Sequence, residues 1–139
     1  INIPMRIMSD VYKTEKSTLT VLDGGIIEHT YEEGVTIDED EARRVIDIVN
    51  DIIGDGLLLL LNDMRIKALF TREARAFFRE NTPDNASVAF IINSKLGEVT
   101  VNFFLKFNSP TYNLRIFNDR ESALGWLLEM GAAHEKANS

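Results

Sequence analysis

The pattern of apolar and polar positions first repeats every two residues, as in a β-strand, and later every three or four, as in a helix. A β-rich run at 17–22 stops at an Asp-Gly-Gly sequence at 23–25, where two glycines permit the positive φ angles of a tight turn. A second run follows at 26–31. These runs predict an antiparallel hairpin, and residues 1–16 before it are predicted to be a tail or a short edge strand.

The next segment has the helical period. Acidic residues at 38–41 suit the first turn of a helix, where the helix dipole favours negative charge, and Gly54 suits its C-terminal end. Apolar residues recur between them at spacings of three and four. A helix is therefore predicted at about 38–53, with its inner face formed by Ala42, Val45, Ile46, Val49, Ile52 and Ile53.

Short apolar runs are typical of strands that are covered on both faces of a sheet. The run at 57–61 is too short for a helix and lies between Gly56 and Asn62, which predicts a central parallel strand. Further strands are predicted at 87–92 and 112–117.

Two more helices alternate with these strands. One is predicted from Thr71 to about Glu80, and the last from Asn118 to about Gly131, with a C-terminal tail at 131–139. The stretch 95–107 fits both the helical and the strand pattern.

This order of elements predicts a single α/β domain at 17–130 in a chain of 139 residues. We expect a mixed sheet of about five strands, an antiparallel hairpin followed by parallel strands, with about four helices.

Composition excludes several functions. Without cysteine the chain has no disulfide, thiolate metal site or cysteine nucleophile. A net charge of −7 without a strong basic cluster argues against nucleic acid as a partner. No apolar stretch is long enough to span a membrane, and residues 1–8 do not resemble a signal peptide, so a cytoplasmic location is expected.

The search for catalytic chemistry finds little. His29 and His134 are the two histidines, and neither has a second ligand or base at a usable spacing, so both are interpreted as exposed polar side chains. No nucleophile elbow, phosphate loop or metalloprotease motif is present. We therefore predict a protein that is not an enzyme and has no metal or other cofactor.

Polar residues follow the predicted parallel strands at their carboxyl ends, where ligands bind in open α/β sheets. They can cap helices and shape loops, or they can form a crevice for an anion, a nucleotide or a partner loop. The start of the second helix offers the same two interpretations, an ordinary cap or an anion site. The candidate contact or ligand crevice comprises Asn62, Asp63, Thr71, Arg72, Asn93, Ser94, Asn118 and Asp119.

A second candidate site is apolar. If 95–107 is a helix, Val101, Phe104 and Leu105 are left over after one face packs on the sheet. Such a surplus forms a partner surface, a homodimer contact or the wall of a hydrophobic pocket, unless the C-terminal segment buries it.

Five stretches resemble a family of small bacterial proteins described as STAS-like or SpoIIAA-like, which are also likened to CRAL-TRIO lipid-transfer domains. The resemblance covers about 17–130 and implies a STAS-like fold with a helix at 95–107. The stretches are FTREAR at 70–75, VAFIINS at 88–94, NFFLKFNSP at 102–110, RIFND at 115–119 and ALGWL at 123–127.

The resemblance implies a non-enzymatic regulatory or protein-interaction role with a protein partner. The alternative is a carrier or sensor of a small hydrophobic or lipid-like ligand. In anti-sigma-factor antagonists a serine at the start of the helix after the central strand is phosphorylated, and the nearest position here is Thr71. The surrounding motif differs, because Arg72 follows where the family has glycine, so modification is not carried over.

Overall fold

The computed structural model describes residues 10–95, 98, 99, 102 and 111–138. The strands are β1 (Val11–Lys13), β2 (Ser17–Val21), β3 (Ile26–Tyr31), β4 (Thr36–Ile37), β5 (Leu58–Asp63), β6 (Leu69–Phe70), β7 (Ala86–Ile91) and β8 (Asn113–Phe117). The helices are α1 (Glu39–Ile53), α2 (Arg72–Asn81) and α3 (Arg120–Ala137), and a short 3-10 turn spans Asp23–Gly25.

Six strands form one mixed sheet in the order β1-β2-β3-β5-β7-β8. The pairs β1/β2 and β2/β3 are antiparallel, whereas β3/β5, β5/β7 and β7/β8 are parallel. The predicted hairpin and the central position of the apolar run are confirmed. Strands β4 and β6 form a separate two-stranded parallel ribbon, so the described strands outnumber the predicted five.

One face of the sheet is covered by α1 and α2. The apolar stripe of α1 buries Val45 and Val49 against Ile27 and Leu58, as its helical spacing predicts. Asp38 caps α1 by accepting a hydrogen bond from the Glu41 backbone N–H at 2.9 Å. Gly54, with φ at 55°, ends it.

The other face is covered by α3, whose Ala123 and Leu127 are fully buried against Leu59 and Leu61. The predicted end of this helix near Gly131 is wrong, since α3 continues to Ala137. A Cβ at Gly131 would lie 3.0 Å from the Leu59 side chain. The glycine therefore serves close packing of helix on sheet and does not stop the helix.

Other predicted boundaries are also corrected. The N-cap of α3 is Asp119, not Asn118, because the Asp119 carboxylate accepts from the Ser122 backbone N–H at 2.7 Å. Within 1–16, predicted to be a tail or a short edge strand, Val11–Lys13 form β1 at the edge of the main sheet, which agrees with the second alternative. Residues 1–9 lie outside the described residues.

The segment 95–107 lies mostly outside the described residues, as do all three residues of the candidate apolar patch, Val101, Phe104 and Leu105. Lys95, Glu98, Val99 and Asn102 are described and are helical, as the STAS-like resemblance implies. Among the described helices, none is both long and apolar enough to cross a membrane.

Candidate functional site

An apolar cavity lies between the sheet and the α1/α2 layer. Its floor is built by strand register, because His29 on β3 pairs with Asn62 on β5, which pairs with Phe90 on β7. Side chains alternate along strands, so paired residues share one face. Leu60 and Val88 form the adjoining row of the floor.

Side chains of α1 and α2 form the wall of this cavity opposite the sheet. Val45, Ile46 and Val49 of α1 and Phe78 of α2 line it, and its volume is about 80 Å³. It is partly open to solvent, and its lining is mostly apolar. Two of its polar residues, His29 and Asn62, lie near the carboxyl ends of β3 and β5.

His29 is the most unusual residue of the lining, because it is only 1% exposed. Its Nδ1 lies 3.3 Å from the hydroxyl of Tyr31, and that hydroxyl donates to Oδ1 of Asn62. The other ring nitrogen, Nε2, is buried and has no hydrogen-bond partner among the described residues. A buried polar atom without a partner is costly, and most such atoms in folded proteins are paired.

Burial also fixes the charge of these groups. It lowers the pKa of His29 to about 3, because the imidazolium form cannot be solvated there. Burial raises the pKa of the Tyr31 hydroxyl well above its ordinary value, although the hydrogen bond to Asn62 opposes this shift. Both side chains are therefore neutral near pH 7.

Aromatic rings pack around the polar end of the cavity. The rings of His29 and Tyr31 lie 4.3 Å apart, and Tyr31 meets Phe70 edge-on at 5.4 Å. Phe70 packs in turn on Phe78 at 6.2 Å. Arg75 donates to the Phe70 carbonyl at 2.7 Å, which ties the start of α2 to this cluster. Such contacts hold the His29 ring in one orientation.

The predicted polar pair Asn62 and Asp63 is divided between the two faces of the sheet. Asn62 lines the cavity, whereas Asp63 lies on the α3 side and forms a bidentate ion pair with Arg65 at 2.8 and 2.9 Å. Burial raises the pKa of Asp63, but the hydrogen bonds and charge of Arg65 outweigh it and hold that pKa below its usual value. A second pair joins Glu28 to Arg120 at 2.8 and 3.2 Å.

The other residues of the predicted crevice lie at helix starts or in loops. Thr71 caps α2 by accepting from the Ala74 backbone N–H at 3.0 Å. Asp119 caps α3, as described above. The remaining four are exposed: Arg72, Asn93, Ser94 and Asn118.

The predicted exposure of the histidines is corrected. His29 is buried because Ile27, His29 and Tyr31 share the face of β3 that meets α1 and α2, whereas the alternate positions Glu28 and Thr30 are polar. That alternation was a usable signal in the sequence. His134 is half-buried within α3 and lies 2.9 Å from the Asn138 amide.

One other buried charged residue lies near this site. Glu41 is fully buried on α1, accepts a hydrogen bond from Thr14 and pairs with Arg44 at 3.3 Å. Within the part of the chain that the structure describes, no cluster of histidine and carboxylate side chains could hold a metal ion.

The fold is SpoIIAA-like. An uncharacterised protein of the DUF3478 family with a SpoIIAA-like fold, from Shewanella loihica PV-4, is similar to this chain at a TM-score of 0.52 and 12% sequence identity. The alignment covers 84% of this chain and 89% of that one. At this identity the likeness concerns the fold alone, which agrees with the STAS-like fold implied by the sequence.

The particular family is shown by sequence. Residues 20–131 match the model of the family described as domain of unknown function DUF7793, and the chain belongs to that family. A protein with unknown function from Arthrobacter sp. FB24 is 30% identical, with 84% of this chain and 95% of that chain covered, at a TM-score of 0.32. No curated protein matches the chain.

Proposed function

We propose that this chain is a non-enzymatic domain that binds a small, uncharged, largely apolar molecule in the cavity beneath α1 and α2. The observation that carries the proposal is a partly open apolar cavity whose lining includes a fully buried histidine. Apolar cavities with a few convergent polar groups are the usual form of small-molecule sites.

The size of the cavity limits the ligand. An apolar cavity of about 150 Å³ holds a benzene molecule in another protein. The present cavity has about half that volume but is partly open to solvent. It therefore suits a small ring or the end of a longer apolar chain that projects outward.

Binding is favoured over catalysis by the protonation states. A general acid or base works best when its pKa lies near the working pH. The pKa of His29 is lowered to about 3 and that of Tyr31 is raised, so neither side chain exchanges a proton readily near neutral pH.

A titration with toluene followed by amide NMR spectra tests this proposal. Toluene should shift the signals of residues that line the cavity, such as Val45 and Val88. Leu60→Phe fills the cavity and should abolish the shifts. Leu128→Phe is the matched control, because Leu128 is 50% exposed on α3. The proposal fails if toluene shifts no lining residue, or if both variants respond like the wild type.

A regulatory protein-interaction role is the second candidate. It is favoured by the exposed Leu69 and Ile66, at 66% and 39% exposure, which lie just before the N-cap Thr71 of α2. Exposed large apolar side chains beside a helix start suit contact with a protein partner. Because this surface adjoins the aromatic cluster of the cavity, a ligand there could be sensed by the partner.

Affinity capture with quantitative mass spectrometry tests this role. Leu69→Ser should lose a specific partner that Leu128→Ser, the matched exposed leucine, retains. Sedimentation of both variants separates a second copy of the chain from a different protein. Equal recovery of every protein by the two variants would contradict the interaction role at this surface.

A further inference from the structure

The protonation state of His29 can be deduced from its neighbours. The Tyr31 hydroxyl has one hydrogen, and it donates that hydrogen to Oδ1 of Asn62. The 3.3 Å contact with His29 can then form only if Nδ1 carries the proton and the Tyr31 oxygen accepts it. A neutral imidazole has one N–H, so Nε2 is left with a bare lone pair.

The unpaired nitrogen belongs to a residue of the cavity lining. His29 lines the cavity and its Nε2 is buried without a hydrogen bond from the described residues. The atom can accept a hydrogen bond but cannot donate one. A ligand that donates to it removes the cost of the unpaired acceptor, whereas a ligand that only accepts adds an unfavourable contact.

We propose that the cavity selects a neutral apolar molecule bearing one hydroxyl or N–H group, which donates a hydrogen bond to Nε2 of His29. This inference rests on the proposed function and narrows it to a ligand class: phenols, small alcohols and N–H heterocycles. At Nε2 a carboxylate is disfavoured, since its oxygens would meet the lone pair.

Charge considerations agree with this class. Burial lowers the pKa of His29 far below neutrality, so the ring does not become a cation that could attract an anionic ligand. Arg75 also lines the cavity, but its guanidinium donates to the backbone carbonyl of Phe70.

The first experiment compares phenol with toluene, which have nearly the same shape. Affinities are measured by NMR titration for the wild type and His29→Leu. The ratio of phenol affinity to toluene affinity should fall about tenfold in the variant, because only phenol uses the lone pair. Anisole, which lacks the donor, should behave like toluene.

The outcomes separate the two proposals. If phenol and toluene bind but their affinity ratio is unchanged by His29→Leu, the proposed hydrogen bond from the ligand to Nε2 is overturned. The proposal that the cavity binds a small molecule then stands. If neither compound binds to the wild type, both proposals are overturned.

The second experiment reads the tautomer without any ligand. Long-range proton–nitrogen NMR spectra distinguish a protonated Nδ1 from a protonated Nε2, and His134→Gln identifies the signals of His29. We expect the Nδ1–H tautomer at pH 7. The Nε2–H tautomer, or a charged ring, would overturn the inference.

Discussion

The two faces of the sheet are built from similar apolar side chains but are packed differently. On the α3 face, Gly131 brings the helix onto Leu59, and the buried carboxylate of Asp63 is paired with Arg65. On the α1/α2 face, a cavity remains beside His29, and one of its ring nitrogens has no partner within the part of the chain that the structure describes. Both faces bury an apolar core, but only on the α1/α2 face does the described structure leave a cavity beside a buried polar atom without a partner.

Leucine truncations should give the largest contrast between the faces. Leu127→Ala on the α3 face should lower the free energy of unfolding by about 2–5 kcal/mol, because it leaves a closed cavity in a dense core. Leu60→Ala should cost about 1–2 kcal/mol, since its side chain already borders open space. Urea denaturation measures both, and equal losses would contradict the contrast.

The pH dependence of stability should depend on His29. Between its folded pKa of about 3 and the ordinary value of 6.5, the unfolded chain binds a proton that the folded chain does not. The free energy of unfolding should therefore fall by about 1.4 kcal/mol for each pH unit as the pH drops below about 6.5. The contribution of neutral His29 to the free energy of unfolding is fully present at pH values above its ordinary pKa of 6.5.

The contribution of His29 is isolated by comparing urea denaturation of the wild type and His29→Leu from pH 7.5 to 4.5. The variant should lack this part of the slope, while His134→Gln should keep it. The carboxylates titrate in the same way in all three proteins, so their effect on the pH slope cancels when the slopes are compared. The same slope in the wild type and His29→Leu would show that the ring is not buried as described.

Added volume should be tolerated on one face only. Gly131→Leu forces a side chain against Leu59 and should be about 1–3 kcal/mol less stable than Gly125→Leu in the same helix, where a Cβ meets nothing. Val49→Leu, which extends into the cavity, should change stability by less than about 1 kcal/mol. Thermal unfolding monitored by circular dichroism measures all three, and a large loss for Val49→Leu would argue against the cavity.

The smallest effect is expected from the ion pair between Arg120 and Glu28. Arg120→Gln should cost about 1 kcal/mol or less, because the arginine is partly exposed and solvent screens the pair. Arg43→Gln is the comparison and should cost about 1 kcal/mol, because it removes the exposed pair with Glu39 and the contact of Arg43 with the Phe77 ring. A loss above about 2 kcal/mol for Arg120→Gln would mean that the α3 face relies on this pair.

Much of the fold was predictable from local signals. The acidic first turn and terminal Gly54 locate α1, and the apolar run at 57–61 locates the central strand. The end of α3 was not predictable, because a glycine that serves packing resembles one that stops a helix. Gly131 is distinguished only by its contact with Leu59.

The cavity was harder to predict from the sequence than the fold was. Polar residues at strand ends draw attention to Asn62, but its neighbour Asp63 points to the opposite face. His29, Asn62 and Phe90 become neighbours only through the register of three strands that are distant in sequence. Only the strand alternation of Ile27, His29 and Tyr31 gave a local sign that the histidine is buried.

A crystal structure of the protein with phenol is the most direct test of the account. We expect the ring in the cavity over Leu60 and Val88, with its hydroxyl oxygen about 2.6–3.2 Å from Nε2 of His29. An empty cavity at saturating phenol would contradict the view that the α1/α2 face is a ligand site.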